Sequence, residues 1–197
     1  MNLNIYNRVL AITSTIKEFN ISNNLHLRKN LTRLFENEYY INLNKNLYHL
    51  NKLYNFLTFV VFKKGKILFV LPESRLNGRF IRVIKKTKHF YVSNKKTNKP
   101  GVLTNLLELN LHKKRKDRQY LPSLICILNK NYKYTVNITR EAVLLKIPII
   151  SIVDAQNNLV NITYPLIGDL TFNNLKFYYF FISRVLMIKK DKKDKKK

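Results

Sequence analysis

The segment from Leu121 to Asp154 reads LPSLICILNKNYKYTVNITREAVLLKIPIISIVD, and it decides the fold. It contains two short apolar runs, Leu124–Leu128 and Ile147–Val153, which are rich in Ile, Leu and Val. A polar residue follows each run, Asn129 in the first case and Asp154 in the second. Runs of this kind are typical of strands that are buried on both faces of a parallel sheet.

The residues between the two runs have helical spacing. Four side chains fall three or four positions apart and define the inner face of one predicted amphipathic helix: Val136, Thr139, Val143 and Ile147. Pro148 lacks a backbone N–H and disfavours helical conformation at the residue before it, so the helix should end there. A strand, a helix and a strand of this length predict a right-handed parallel crossover.

The rest of the chain extends this pattern to a three-layer α/β/α domain with a mainly parallel, flavodoxin-like sheet. Before the crossover, the sequence predicts a helix over 4–18, a basic loop over 20–33, and strands at 39–43, 66–71 and 89–92. A long helix over 43–61, capped by Gly65, and a helix whose inner face is Leu76, Phe80, Val83 and Ile84 connect these strands. After the crossover come a last strand near 162–165, closed by a proline turn, and a final helix from about 171. Residues 1–188 should form a single domain in which 1–19 is the N-terminal helix segment and 93–120 is a basic loop. Residues 189–197 are a Lys-rich tail, expected to be disordered when free.

The charge balance indicates the partner. The 197 residues include 37 Lys plus Arg against 11 Asp plus Glu, a formal net charge of +26. A compact domain with this imbalance repels itself unless a polyanion neutralises it, so nucleic acid or an anionic membrane surface is the expected partner. The layout of the cations favours nucleic acid, and RNA over DNA. No stretch of the sequence reaches the roughly 18 apolar residues that a membrane helix needs.

The cations are concentrated in a few segments, chiefly from 75 to 118, where they outnumber the acids. They belong to one helix and to the loops after the third predicted strand, so we expect them to share one rim of the domain. The predicted RNA-contacting cations are Arg28, Lys29, Arg75, Arg79, Arg82, Lys85, Lys86, Lys95, Lys96, Lys99, Lys113, Lys114, Arg115, Lys116 and Arg118. Short hydrogen-bonding side chains suited to phosphate and ribose accompany them at Thr97, Asn98, Thr104 and Asn105.

Little in the sequence indicates catalysis, a cofactor or a metal. The four glycines, at 65, 78, 101 and 168, cannot form a dinucleotide fingerprint or a P-loop. The single cysteine, Cys126, lies within an apolar run and is predicted to be a small buried hydrophobe. Asp154 and Asp169 stay open as a metal-binding pair, but a strand-end cap and a loop acid are the simpler interpretation.

Several motifs follow one another in a specific order and spacing. They are Tyr40-Ile41-Asn42-Leu43, Lys64-Gly65-Lys66-Ile67-Leu68-Phe69-Val70, Pro100-Gly101-Val102-Leu103-Thr104-Asn105, Leu121-Pro122-Ser123-Leu124-Ile125, Arg140-Glu141-Ala142, the run Ile147 to Asp154, and Tyr164-Pro165 with Gly168-Asp169. Over nearly its whole length the chain resembles the S2 family of small-subunit ribosomal proteins. The resemblance implies a non-catalytic structural protein that contacts rRNA and other small-subunit ribosomal proteins near the junction of head and body. It also implies an RNA-facing or loop-fixing role for Thr104 and Asn105.

The chain departs from the family pattern both in length and at single positions. Bacterial relatives insert a long helical hairpin after the Leu-Thr-Asn motif, but here only about fifteen residues separate Leu106 from Leu121, enough for a single helix of about 22 Å. The projecting coiled coil should therefore be reduced or absent. Lys146 replaces the glycine usual before Ile147. Asn, Lys, Ile, Tyr and Phe dominate the composition, a bias typical of an AT-rich gene, which favours a shortened, mitochondrially encoded member located in the small subunit of the mitochondrial ribosome.

Two alternatives remain open on the sequence. The first is a flavodoxin-like nucleotide-binding or RNA-modifying module with a site at the carboxyl ends of the strands, around Ser93, Asn129 and Asp154. The lack of glycines there disfavours a small-molecule substrate. The second is a peripheral membrane protein that uses the Lys-rich tail, but membrane attachment needs apolar anchors beside the cations, and none follows Ile188.

Overall fold

The computed structural model describes residues 15–17, 31–35, 38–41, 43–72, 74, 76–93, 97, 100–104, 121–128, 132–153, 161–167 and 172–194. In chain order the elements of these segments are β1 Thr15–Lys17, β2 Leu31–Phe35, β3 Glu38–Ile41, α1 Leu43–Phe62, β4 Ile67–Leu71, α2 Asn77–Lys86, β5 Phe90–Ser93, β6 Leu124–Ile127, α3 Tyr132–Leu144, β7 Ile149–Val153, β8 Tyr164–Ile167 and α4 Phe172–Asp194. None of the described helices combines the length and the hydropathy that a bilayer crossing requires.

The central sheet is fully parallel and has the strand order β5-β4-β6-β7-β8. Every residue of β4, β6 and β7 is buried, as expected for strands covered on both faces. This order is that of the flavodoxin-like doubly wound folds. The predicted three-layer α/β/α architecture and the predicted crossover from β6 through α3 to β7 are therefore confirmed.

Alternate residues of each strand point to the two outer layers. In β4, Ile67, Phe69 and Leu71 pack with α1, α2 and α4 on one face. Leu68 and Val70 face the opposite layer, which is formed by α3 and the loop at 100–104. The two apolar clusters are thus separated by the sheet, and the alternation along β4 and β6 assigns the core residues of these two strands to one cluster or the other.

Cys126 of β6 behaves as predicted. Its side chain is fully buried in the cluster that α1, α2 and α4 cover. Burial raises the pKa of the thiol, which therefore stays protonated and unreactive at neutral pH.

The helix α3 forms where predicted. Thr139 and Ile147 are buried as predicted, but the buried face is rotated by about one position from the one assigned. Val143 is 45% exposed, whereas Ile138 and Ala142 are fully buried. The reason is the contact that Glu141 makes with the loop at 100–104. Residues 138 and 142 lie next to Glu141 on the helix surface, so this contact turns them toward the sheet. The predicted end at Pro148 is confirmed, because the helix finishes at Leu144.

A small antiparallel sheet with the order β1-β3-β2 precedes α1. Its strand β3 agrees with the strand predicted at 39–43, but the sequence does not predict β1 and β2. The predicted helix at 4–18 is wrong at residues 15–17, and the predicted loop at 20–33 is wrong at residues 31–33, since both pair with β3 as strands. The remaining residues of those two predictions lie outside the described chain. The β-branched pair Thr15-Ile16 suits a strand, and pairing with Tyr40 and Tyr39 outweighs the helical spacing of the isoleucines.

The C-terminal boundaries differ from those predicted. Pro165 lies inside β8 instead of closing it, which an edge strand tolerates because one side of its ladder is free. The helix α4 runs to Asp194, beyond the boundary expected near Ile188. The expected disorder of the free tail and the limits of the single domain stay predictions. The segment assigned to the shortened hairpin, 106–120, lies outside the described residues.

After three of the described helices, the second residue beyond the helix end is a lysine in the left-handed conformation. Lys64, Lys88 and Lys146 have φ values of 58°, 59° and 55°. In each case the amide of the next residue reaches back five positions, which is the hydrogen bond of a Schellman motif: Gly65 N–H to Val60 O at 2.9 Å, His89 N–H to Ile84 O at 3.1 Å, and Ile147 N–H to Ala142 O at 2.8 Å. Glycine is the usual residue at this position because it has no Cβ.

The expectation that Gly65 itself supplies the left-handed cap of α1 is thus wrong by one residue. Lys64 has the positive φ, and Gly65 is constrained for another reason. A Cβ at Gly65 would lie 2.9 Å from Val60 Cγ1 and 3.1 Å from the Val60 carbonyl oxygen. Close approach of the chain to its own helix requires the glycine.

Replacing Lys146 by glycine should stabilise the protein. The left-handed conformation costs a residue with a Cβ about 1–2 kcal/mol, and the greater freedom of glycine in the unfolded chain cancels part of the gain. We expect Lys146→Gly to raise the free energy of unfolding by about 1 kcal/mol and Tm by about 2–4 °C. Lys146→Ala removes the same charge but keeps the Cβ, so an equal gain from alanine would contradict the conformational explanation.

His89 should make stability depend on pH. Burial, and to a smaller degree Lys66, lowers its pKa from 6.5 to about 4, and its Nδ1 accepts a hydrogen bond from the Ile67 N–H at 3.3 Å. The folded state therefore disfavours the proton. The stabilisation is complete above the unfolded-state pKa and is lost as pH falls from about 6.5 toward 4, by on the order of 2–3 kcal/mol.

The measurement is urea unfolding between pH 4 and 7 for the wild type and for His89→Asn. Asparagine can accept the same hydrogen bond without titrating, so the variant should lose most of this slope. The residual slope should come from other groups such as His49, whose pKa is also lowered by burial and by Lys52. An unchanged slope would show that His89 is not responsible.

Candidate nucleic-acid interface

The helix α2 presents four of the predicted RNA-contacting cations to solvent. Arg79, Arg82, Lys85 and Lys86 are all exposed, and Lys85 and Lys86 form its last turn. The buried residues of the helix, Phe80 and Ile84, face the core. The helix therefore has one apolar side and one basic side, as the sequence predicted.

Aromatic packing and two side-chain hydrogen bonds fix the orientation of α2. Phe80 stacks on Tyr179 of α4 with ring centroids 4.4 Å apart and meets Phe69 of β4 edge to face at 5.3 Å. The Tyr179 hydroxyl donates to Asn77 Oδ1 at 2.5 Å, and Asn77 Nδ2 donates to the carbonyl of Pro72. The basic side of α2 is thus held rigidly against both α4 and the end of β4, so little ordering is needed when it meets a ligand.

Glu141 of α3 binds the loop that contains the Pro-Gly-Val-Leu-Thr motif. Its Oε1 accepts hydrogen bonds from the amides of Gly101 at 2.6 Å and Val102 at 3.2 Å. Its Oε2 accepts from the amides of Leu103 at 2.7 Å and Thr104 at 3.4 Å. One carboxylate therefore satisfies four consecutive N–H groups, and two motifs that are distant in the sequence meet at a single contact.

The same loop is also held by its shape and its apolar side chains. Gly101 has a φ of 85°, which favours glycine, and Val102 and Leu103 are 2% and 1% exposed. Thr104 follows with its side chain exposed. Its amide takes part in the contact with Glu141, and its RNA-facing or loop-fixing role stays a prediction.

Thr97 does not fit its predicted role. Its side chain is fully buried, so its hydroxyl is not accessible to phosphate or ribose. The polarity of a threonine does not by itself predict whether its side chain is buried or faces solvent.

Five lysines that are absent from the predicted RNA-contacting residues lie together at the end of the sheet where the strands begin. We call them the amino-edge cluster: Lys63, Lys64, Lys66, Lys88 and Lys146. They lie in the turns that lead from α1, α2 and α3 into β4, β5 and β7, and in a parallel sheet these turns meet at the amino ends of the strands. The signal that could have found them is a lysine one to three residues ahead of each of three strands.

The other predicted site residues lie outside the described chain, so their common rim stays a prediction. These residues are Arg28, Lys29, Arg75, Lys95, Lys96, Asn98, Lys99, Asn105, Lys113, Lys114, Arg115, Lys116 and Arg118. Asn129, Asp154 and Asp169 also lie outside it. Within the described residues, no three His, Cys, Asp or Glu side chains are grouped as a metal site would require.

Replacing Glu141 by glutamine should loosen the loop. The glutamine side chain has one acceptor oxygen in place of two, and its NH₂ group would face backbone N–H groups of the loop. About half of the hydrogen bonds to the side chain are therefore lost, and the remaining ones lose the assistance of the negative charge. We expect a loss of about 2–3 kcal/mol of stability and faster hydrogen exchange at the amides of 101–104. Arg140→Gln is the control, since Arg140 is exposed on the same helix; equal loosening in both variants would contradict the role of the carboxylate.

Comparison with known proteins gives one family. The family model for ribosomal protein S2 matches residues 24–117 and 107–185 of the chain. The two matched segments overlap at 107–117 and together cover most of the sequence. They include α2, the contact between Glu141 and the loop, and the amino-edge cluster. No curated protein matches the chain.

Proposed function

We propose, since the chain belongs to the ribosomal protein S2 family, that it is a structural constituent of the small ribosomal subunit and binds rRNA mainly through phosphate contacts. Membership makes it a ribosomal protein that acts in translation. The observation behind the more specific proposal is the rigid basic side of α2 in a chain of net charge +26. Exposed cations on a fixed helix suit a phosphate backbone, because such contacts need charge and position but no base recognition.

The described side chains support a structural role over catalysis. Glu141 is the only acidic residue whose side chain the structure describes, and four backbone amides occupy its carboxylate. Cys126 is buried in the core and its raised pKa keeps it protonated. Within the described chain these groups are committed to packing and loop fixation.

The position and the compartment of the protein are further parts of the proposal. Family membership supports a location near the junction of head and body, with other small-subunit ribosomal proteins as neighbours. Only about fifteen residues separate Leu106 from Leu121, and this short spacing supports a protein without the long projection. The amino-acid usage, which is typical of an AT-rich gene, supports a mitochondrial ribosome.

The test is binding to a transcript of the small-subunit rRNA as a function of salt, together with sedimentation of the protein in a ribosome gradient. With about six to ten phosphate contacts, affinity should fall about a thousandfold or more between 50 and 200 mM salt. The protein should travel with the small subunit at moderate salt and dissociate at high salt. Retention at the top of the gradient under both conditions would refute the proposal.

A matched pair of variants separates the role of α2 from that of total charge. Arg79→Ala with Arg82→Ala removes two exposed cations from α2, and Lys52→Ala with Lys176→Ala removes two exposed cations from α1 and α4. Only the first pair should weaken rRNA binding clearly, and neither should change Tm by more than a few degrees. Unfolding of the first variant would show instead that the arginines are structural.

A further inference from the structure

We propose that the amino-edge cluster is a second phosphate-binding surface, which contacts the rRNA backbone at the end of the sheet opposite to the loops singled out by sequence. The inference rests on the proposed function, because it takes rRNA as the ligand. It adds a surface that neither the sequence motifs nor family membership assigns.

The topology brings the five lysines together from three separate turns. Lys66 Nζ donates a hydrogen bond to the Lys88 carbonyl at 2.9 Å, which joins the turn before β4 to the turn before β5. The Ser123 amide donates to the Lys66 carbonyl at 2.8 Å and continues the edge toward β6 and β7. Since neighbouring strands lie about 4.8 Å apart, the edge from β5 to β7 spans about 14 Å. Lys85 and Lys86, in the last turn of α2, adjoin it.

The electrostatic balance of this edge favours a polyanion. Three helices direct their C-termini here, and each contributes about half a negative charge, which by itself would repel phosphate. The five lysines exceed this and leave the edge cationic, and four of them are exposed, Lys66 being half-buried. A lysine ammonium is a compact charge with three donors and binds phosphate without demanding one geometry.

Backbone conformation indicates that the charge is not there for folding alone. Lys64, Lys88 and Lys146 occupy left-handed positions, where glycine or asparagine would be less strained. The chain does use asparagine at such a position, since Asn161 has a φ of 75°. Asparagine and lysine both have codons made only of A and U, so an AT-rich gene could supply either. The repeated use of lysine therefore points to selection for the cation.

A competing explanation is that these lysines only offset the helix dipoles. That interaction is worth about 0.3–1 kcal/mol per cation, which offsets part of the roughly 1–2 kcal/mol that the left-handed conformation costs. It predicts that removal of the lysines alters stability and leaves RNA binding unchanged. The two explanations therefore differ in a measurable quantity.

The experiment uses the full chain with Lys64→Asn, Lys88→Asn and Lys146→Asn combined. Asparagine tolerates the left-handed conformation, so the fold should persist, and thermal unfolding checks this. The control combines Lys52→Asn, Lys176→Asn and Arg184→Asn, which removes the same charge from exposed positions on α1 and α4. Both are compared with the wild type for binding to the small-subunit rRNA transcript from 50 to 300 mM salt.

We expect the amino-edge variant to bind about 10–100-fold more weakly near 100 mM salt and the slope of log affinity against log salt to fall in magnitude by about 2–3. The control should change little. If the folded amino-edge variant keeps the wild-type affinity and slope, or if the control loses as much, the inference is overturned while the proposed function stands. If the wild type itself does not bind the transcript, the proposed function fails and this inference fails with it.

Discussion

Burial of β4, β6 and β7 on both faces is the constraint on which the rest of the structure depends. A strand whose side chains are all buried, and nearly all apolar, has to be covered above and below, so each connection between parallel strands must return over the sheet. The helices α1, α2 and α3 each lead directly into a strand, and their C-termini therefore meet at one edge. The placement of the amino-edge cluster is a direct result of how the hydrophobic core is covered.

The parts of the fold that follow from hydrophobic pattern could be predicted, because burial dominates them. The crossover around Cys126, the long helix before Gly65 and the apolar side of α2 all have a pattern whose period identifies the element. The N-terminal sheet could not be predicted in this way. Ile16 fits a helical pattern equally well, and only its pairing with Tyr39, which is distant in the sequence, selects the strand.

The candidate site was predictable where charge and helical spacing coincide, as at Arg79 and Arg82. The site residues could not be predicted where their position in space depends on the strand order of the sheet. Lys146 is visible in the sequence as a departure from the family pattern, but only the strand order shows that it shares an edge with Lys66 and Lys88. The same holds for Glu141, whose four amide partners become visible only when the loop is seen against α3.

The contact between Glu141 and the loop also bears on how the protein is made. The amide of Gly101 and the carboxylate of Glu141 are separated by 40 residues in the chain. At a synthesis rate of about 5–20 residues per second, the loop waits about 2–8 s for its acceptor to be added. During this interval Val102 and Leu103 have no helix α3 to cover them, although both are buried in the finished protein. Docking of the loop therefore marks a late step of co-translational folding, and it can occur only after the chain has been extended through α3.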